Sequence, residues 1–167
     1  HLNADAPRNA SDSSGLYFDP PSKCHNARNI TLFGQWVTDE WTPFLHSPVY
    51  TLAQAINFHW FGVGFFQMRM LSVLVSVLAL ALVFLIVRRQ GGFAAGVMAL
   101  LLGMTCYPLI YNSRSGLLEP FEIFFILLSA WSLSKGYANE ARTGPWFFVA
   151  GLAASLAFLS KPFAGLF

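Results

Sequence analysis

The sequence predicts an all-α multi-pass membrane protein, with four transmembrane helices and an outer loop that carries short interfacial helices. Of its 167 residues, 55% are apolar and only 11% are charged, whereas a soluble domain carries about 25% charged residues. The run at positions 70–87, "MLSVLVSVLALALVFLIV", contains no charge and is about long enough to cross a bilayer. Three further apolar runs follow it after short polar turns. Together these features predict a helical membrane bundle, because helices satisfy their own backbone hydrogen bonds in lipid.

The part before the first apolar run divides into two segments. Residues 1–15 are small and polar without an apolar period, which predicts a flexible N-terminal segment. Residues 16–65 form a polar and aromatic loop. Within it we expect short helices at about 22–34 and 48–60, too short to span a membrane and suited to its interface. In the first of these, Ala27, Ile30, Leu32 and Phe33 are expected to share one face.

The remaining residues, 66–167, form the predicted transmembrane bundle. Its four helices are expected near 66–89, 92–112, 119–137 and 145–167. The third has Pro120 near its start, and Glu119 and Glu122 in its first turn, where acidic side chains are favourable. Because the chain begins without Met and stops within an apolar run, we interpret it as a fragment of a longer bundle.

Basic residues predict the orientation of the bundle. Arg88 and Arg89 follow the first apolar run, and Lys135 and Arg142 flank the turn between the third and the fourth. Both turns lie on one side if the helices alternate, and the positive-inside rule assigns that side to the cytoplasm. The sequence therefore predicts a plasma (inner) membrane protein with its first loop on the outer face.

Neither the cysteines nor the histidines predict a metal or disulfide framework. The two cysteines, Cys24 and Cys106, are expected to be free thiols. His25 and His59 have no second ligand at helical spacing, so packing or interface roles are favoured over metal binding.

Polar groups that face outward are the candidates for a functional site. Ionisable groups at membrane depth are costly and tend to be functional. A carboxylate suits a general base, and arginine and lysine suit a departing phosphate. The candidates with these properties are Asp19, Arg28, Asp39, Glu40, His46, Arg69, Arg114, Glu119 and Lys161.

Structural explanations compete with function at several of these positions. Arg69 and Arg114 either bind phosphate or only mark the interface, where long side chains reach water. Glu119 either contacts substrate or, with Pro120, starts a helix. Lys161 lies inside an apolar run, which favours a functional role, although a position near a helix end also reaches water.

The ordered segments "NARNITLFGQWV", "HSPVYTLAQAINFHWFGVGFF", "YNSRSGLLEPFEIFFILL" and "GLAASLAFLSKPFAGL" resemble the type C glycosyltransferases. The similarity runs from about Tyr17 to Phe167 and is closest to the protein mannosyltransferase and aminoarabinose-transferase branch. It implies an inverting transfer of sugar from a polyprenyl-phosphate donor to a lipid or protein acceptor on the outer membrane face. The expected partners are this donor, the acceptor, membrane lipids and other subunits of a membrane complex; the small net charge gives no case for nucleic acid.

The resemblance also assigns roles to individual residues. Asp19 matches the catalytic base of the first loop. The residues that match substrate-binding positions are His46, Arg69, Arg114 and Lys161. Glu119 is added to the predicted substrate-binding residues because it is among the polar groups that face outward. The cofactor expectation is open, with none required and a divalent metal as the alternative.

The residues after Asp19 depart from the family pattern. Relatives follow this aspartate with an acidic residue, whereas here Pro20 and Pro21 follow. Proline removes a carboxylate and a backbone donor and stiffens the turn, which counts against metal binding and catalysis. Two hypotheses therefore stay open: an active glycosyltransferase, or a truncated or inactive relative that is a structural subunit of a larger membrane complex.

Overall fold

The computed structural model describes residues 24–36, 47–138 and 143–161. All regular structure in these ranges is helical, as predicted. The six helices are α1 (His25–Phe33), α2 (Pro48–Phe61), α3 (Phe65–Thr105), α4 (Tyr107–Ser115), α5 (Glu119–Tyr137) and α6 (Thr143–Ser160). The predicted flexible segment 1–15 lies outside the described residues.

The two short helices of the first loop, α1 and α2, lie close to their predicted positions. Helix α1 ends at Gly34, which adopts a left-handed φ of 68°. Helix α2 has Pro48 in its first turn, where the missing N–H of proline costs no hydrogen bond. Helix α1 packs on α2, and α2 contacts α3 and α6, so the described part of the loop is folded against the long helices.

The buried face of α1 differs from the apolar face that the sequence predicts. Ala27 is fully buried, but its buried neighbours are Asn26 and Asn29. Leu32 and Phe33 are 55% and 67% exposed. Helix α1 therefore packs against the rest of the structure through small and polar side chains, and the predicted interfacial face stays a prediction.

Helix α3 contains a chain reversal at Gly92. This residue has φ 83° and ψ −179°, a conformation accessible essentially only to glycine. After it, Gly96 packs against Phe84 and Gly103 against Leu80, which shows that the second arm runs back along the first. The rings of Phe84 and Phe93 make an edge-to-face contact across the turn, at 5.9 Å.

The second predicted apolar helix, 92–112, is broken near its end. Helix α3 stops at Thr105, Cys106 is extended, and α4 begins at Tyr107 with Pro108 in its first turn. The break follows from Pro108, which cannot donate to a helix continuing from α3. Helix α4 ends at Gly116 in a left-handed conformation.

Helices α5 and α6 form an antiparallel pair and α5 also packs on α3. At one end of the pair, Trp131 meets Trp146 edge to face at 5.4 Å, and Tyr137 meets Phe147 at 5.2 Å. Along α6 the buried residues are small, namely Ala150, Ala153, Ala157 and Ser160. Small residues of this kind allow close approach between membrane helices.

The outer surface of the described helices is apolar, whereas much of the buried surface is small or polar. Leu78, Leu102 and Phe148 are 52%, 67% and 72% exposed, while Ser72, Ser132 and Ser160 are fully buried. Extended apolar surfaces of this kind are typical of a lipid-facing bundle. In the described part of the chain, two helices, Phe65–Thr105 and Thr143–Ser160, are long and apolar enough to cross a membrane. The prediction of four transmembrane helices is therefore confirmed only in its all-helical, membrane-type character.

Candidate functional site at one end of the bundle

A buried tyrosine joins the first loop to the turn between α4 and α5. The hydroxyl of Tyr50 donates a 2.6 Å hydrogen bond to the carbonyl oxygen of Gly116. Because this proton is committed to a carbonyl, the 3.0 Å contact between Tyr50 Oη and Cys24 Sγ requires the thiol to be the donor. The ring of Tyr50 also meets Phe121 edge to face at 5.3 Å. Tyr50 thereby connects α1, α2, the α4–α5 turn and α5.

Two amides extend this network toward the start of α3. Gln54 Nε2 donates to Tyr50 Oη at 3.3 Å and to the Met68 carbonyl at 3.0 Å. Asn57 Nδ2 donates to Gln54 Oε1 at 3.2 Å and to the Gln67 carbonyl at 2.8 Å. Tyr50, Gln54 and Asn57 are all buried. Their bonds satisfy groups that burial would otherwise make costly, and they hold α2 in one register on α3.

Burial raises the pKa of two groups in this network, the Cys24 thiol and the Tyr50 hydroxyl. Burial raises the pKa of the Cys24 thiol from 9.0 to about 12, partly offset by its hydrogen bond to Tyr50. Burial also raises the pKa of Tyr50, with further contributions from Cys24 and, last, from the negative charge of Glu119. Both groups are therefore neutral at physiological pH.

Arg69 lies at the same turn. Its side chain is buried, with 9% of its surface exposed. Its Cγ would lie 3.5 Å from a Cβ built on Gly116, and its guanidinium stands 5.7 Å from the centre of the Phe65 ring. The structure thus places this predicted site residue beside the Tyr50–Gly116 bond. Its role in binding phosphate stays a prediction.

Glu119 and Lys161, both predicted from the sequence as substrate-binding residues, form an ion pair. Lys161 Nζ lies 2.8 Å from Glu119 Oε1, and their side chains are 37% and 27% exposed. Glu119 lies in the first turn of α5, and Lys161 directly follows α6. The second oxygen, Glu119 Oε2, is buried and accepts no hydrogen bond from the described residues. The pair therefore offers a held cation and a buried acceptor at one end of the bundle.

Arg114, another predicted site residue, is not joined to this pair by any polar contact in the part of the chain that the structure describes. Arg114 lies in the last turn of α4 and is exposed. Among the described residues, no ion pair or hydrogen bond connects it to Glu119 or Lys161. Asp19 and His46 lie outside the described residues, so the assignment of the catalytic base and of the "HSPVY" histidine stays a prediction.

The described residues do not fit a metal site. No three His, Cys, Asp or Glu side chains come together in residues 24–36, 47–138 and 143–161 in a way that would hold an ion. Glu119 is committed to Lys161, and Cys24 to Tyr50. We therefore derive no step through a metal from these residues.

The sequence interpretation missed the polar side of α2. Tyr50, Gln54 and Asn57 are spaced by four and three residues, so they share one helix face. In an otherwise apolar segment this spacing indicates a buried polar contact with another element. The sequence does not indicate that Tyr50 bonds the backbone carbonyl of Gly116, because every residue has a backbone carbonyl.

The helices α2 to α6 and the ion pair lie within a match to a known protein family. The sequence profile described as dolichyl-phosphate-mannose-protein mannosyltransferase matches residues 45–167. The match includes α2 to α6 and both members of the ion pair, but it begins after Asp19. Searches of curated proteins and of solved structures gave no match. Because the profile covers most of the chain, this protein belongs to the dolichyl-phosphate-mannose-protein mannosyltransferase family.

Proposed function

We propose that this chain acts in a membrane glycosyltransferase that moves a sugar from a polyprenyl-phosphate donor to a lipid or protein acceptor. The observation that carries this proposal is the Glu119–Lys161 pair, which brings a carboxylate and an ammonium together across 42 residues of sequence. Ionisable groups at membrane depth are costly and tend to be functional. Membership of the mannosyltransferase family supplies the reaction class.

The proposed arrangement has four passes through the membrane. The first two are the arms of α3 on either side of Gly92, the second arm continuing into α4. Helices α5 and α6 are the third and fourth. This order is supported by the reversal at Gly92 and by contacts that bring the start of α3, the α4–α5 turn and Lys161 to the same end. That end, with the first loop, is the outer face in the proposed orientation.

In the proposed reaction, the acceptor attacks the anomeric carbon of the sugar while Asp19 takes the acceptor's proton. The bond between that carbon and the phosphate oxygen breaks, with inversion, and polyprenyl phosphate leaves. Lys161, Arg69 and Arg114 are proposed to neutralise the phosphate as its charge develops, as preorganised cations do. Glu119 is proposed to position Lys161 through Oε1 and to contact substrate through Oε2. His46 is proposed to contact the donor.

The test is sugar transfer by the full-length protein in lipid, with dolichyl-phosphate mannose as donor. Asp19→Asn should reduce transfer by about two to four orders of magnitude, the usual effect of losing a positioned base. Asp12→Asn, from the preceding polar segment, is the matched control and should retain activity. Unchanged transfer by the Asp19 variant would remove this residue from the mechanism. A wild-type protein inactive with every polyprenyl-phosphate sugar would favour the structural-subunit hypothesis.

A further inference from the structure

An open cleft of about 180 Å³ lies where α1 meets the connection from α2 to α3. Its walls are mainly apolar and include Phe58, Val63, Phe65 and Met68, and the side chain of Arg28 contributes the only charge among its described lining residues. None of these residues has a role in the proposed sugar transfer.

Arg28 is held in place but is not neutralised by a described acid. Its Nη2 and Nε donate to Asn29 Oδ1 at 3.2 and 3.4 Å. No carboxylate among the described residues pairs with it. The side chain is exposed, so the remaining edge of the guanidinium is directed to the surroundings. Arginine in this state suits a phosphate, which it contacts through two parallel hydrogen bonds.

The surface around the cleft is aromatic and exposed. Trp60 and Phe61 are 73% and 59% exposed at the end of α2, and Phe65 and Phe66 are 48% and 41% exposed at the start of α3. Aromatic side chains concentrate at the level of lipid head groups. The cleft therefore combines a cation, apolar walls and an aromatic border at the level of a membrane interface.

We propose that this cleft binds an anionic bilayer phospholipid, with its phosphate on Arg28 and its first methylene groups against Phe58, Phe65 and Met68. A volume of about 180 Å³ is many times what a single water molecule needs and accommodates a phosphate with a few methylene groups. The cleft neighbours the proposed donor site: Phe65 lines the cleft, and its ring lies 5.7 Å from the guanidinium of Arg69. Its cation is Arg28, whereas the cations proposed for the donor phosphate are Arg69, Arg114 and Lys161.

The experiment uses the full-length protein in mixed micelles, titrated with phosphatidylglycerol or phosphatidylcholine, with bound lipid measured by native mass spectrometry. The wild type should prefer phosphatidylglycerol, and Arg28→Gln should reduce that preference about tenfold. Arg89→Gln, an exposed arginine at the opposite end of α3's first arm, is the charge-matched control and should leave it unchanged. Val63→Asp should also reduce the preference, because it places a negative charge in the cleft while Arg28 is retained.

Two further measurements keep the proposal testable if Arg28→Gln does not fold. In the wild type the preference should fall as salt rises, because exposed charge interactions are screened. Titration with polyprenyl phosphate separates this site from the donor site. The proposal is overturned if the wild type shows no preference, if both lipids are lost equally in Val63→Asp, or if Arg28→Gln weakens only polyprenyl phosphate.

Discussion

Tyr50 and Gly116, separated by 66 residues, are joined by a 2.6 Å hydrogen bond from the tyrosine hydroxyl to the glycine carbonyl oxygen. The same hydroxyl accepts from the Cys24 thiol and from Gln54. A single oxygen atom therefore uses its proton and both lone pairs. Tyr50 therefore attaches the first loop to the α4–α5 turn, while Gln54 and Asn57 attach it to the start of α3.

Replacing Tyr50 by phenylalanine should destabilise the protein by about 1–3 kcal/mol, the usual effect of leaving buried polar groups without a partner. The ring contact with Phe121 is retained, so the loss is specific to hydrogen bonding. The measurement is thermal unfolding of the full-length protein in detergent. Tyr107→Phe is the control, because Tyr107 is 73% exposed. Equal melting temperatures for the two variants would show that the network does not stabilise the fold.

The raised pKa of Cys24 predicts a dependence of stability on alkaline pH. The thiol has an ordinary pKa of 9.0 and a folded pKa of about 12, so above pH 9 the unfolded chain loses a proton that the folded chain keeps. Stability is therefore complete below this range and falls as pH rises, by at most about 1.4 kcal/mol per pH unit. Unfolding measured from pH 8 to pH 10 should show this fall, because this range extends about one pH unit to either side of the ordinary thiol pKa of 9.0. Cys24→Ala should reduce this fall, with a smaller part left near pH 10 because the pKa of Tyr50 is also raised. An identical slope in that variant would assign the effect to another group.

Gly92→Ala should disturb the reversal of α3. The φ of 83° and ψ of −179° lie in a region that an alanine avoids, and such strain costs about 1–3 kcal/mol. Gly151→Ala is the matched control, since a Cβ there meets nothing within 4 Å and alanine favours the helix. Thermal unfolding should show a lower melting temperature for the first variant only. A drop of the same size in both would point to a general intolerance of added methyl groups.

The ion pair should matter more for sugar transfer than for stability. Because Lys161 and Glu119 are partly exposed, we expect a contribution to folding of about 1 kcal/mol or less. Transfer from dolichyl-phosphate mannose should fall at least tenfold in Lys161→Met and in Glu119→Gln. Lys135→Met is the control, because Lys135 contacts Trp131 at the opposite end of α5. The double variant should be no worse than the worse single one if the two side chains act as a unit; additive losses would argue that they act separately.

The proposed orientation is tested with a single added thiol. Gln90→Cys, made in a Cys106→Ala background, places an exposed thiol at the turn beside Arg88 and Arg89. In intact cells it should resist a membrane-impermeant maleimide and should react after the membrane is permeabilised. Asn112→Cys, near the opposite end, is the reciprocal probe and should react in intact cells. Labelling of position 90 from outside would invert the proposed topology.

The sequence predicts where a helix begins or ends when the residues at that position determine it. Helix α5 was expected at 119–137 and is found there, since Pro120 and the two glutamates define its start. The helix predicted at 92–112 is too long. The apolar character of this segment does not indicate the break that Pro108 imposes. From the sequence, Glu119 and Lys161 could be predicted only to lie at the same membrane face, not to form an ion pair. Their 2.8 Å contact depends on how α5 and α6 pack, and neither residue alone encodes it.

The distance in sequence between Tyr50 and Gly116 has a consequence for synthesis. Chains are made from the N-terminus, and domains fold as units in that order, so Gly116 emerges long after α2 is complete. Until then Tyr50 lacks its carbonyl partner in the α4–α5 turn, whereas Gln54 and Asn57 already have theirs at the start of α3. The first arm of α3 and its return must therefore be in place before this last attachment forms. A ribosome stalled before position 116 should hold the loop bonded to the start of α3 and not to the α4–α5 turn.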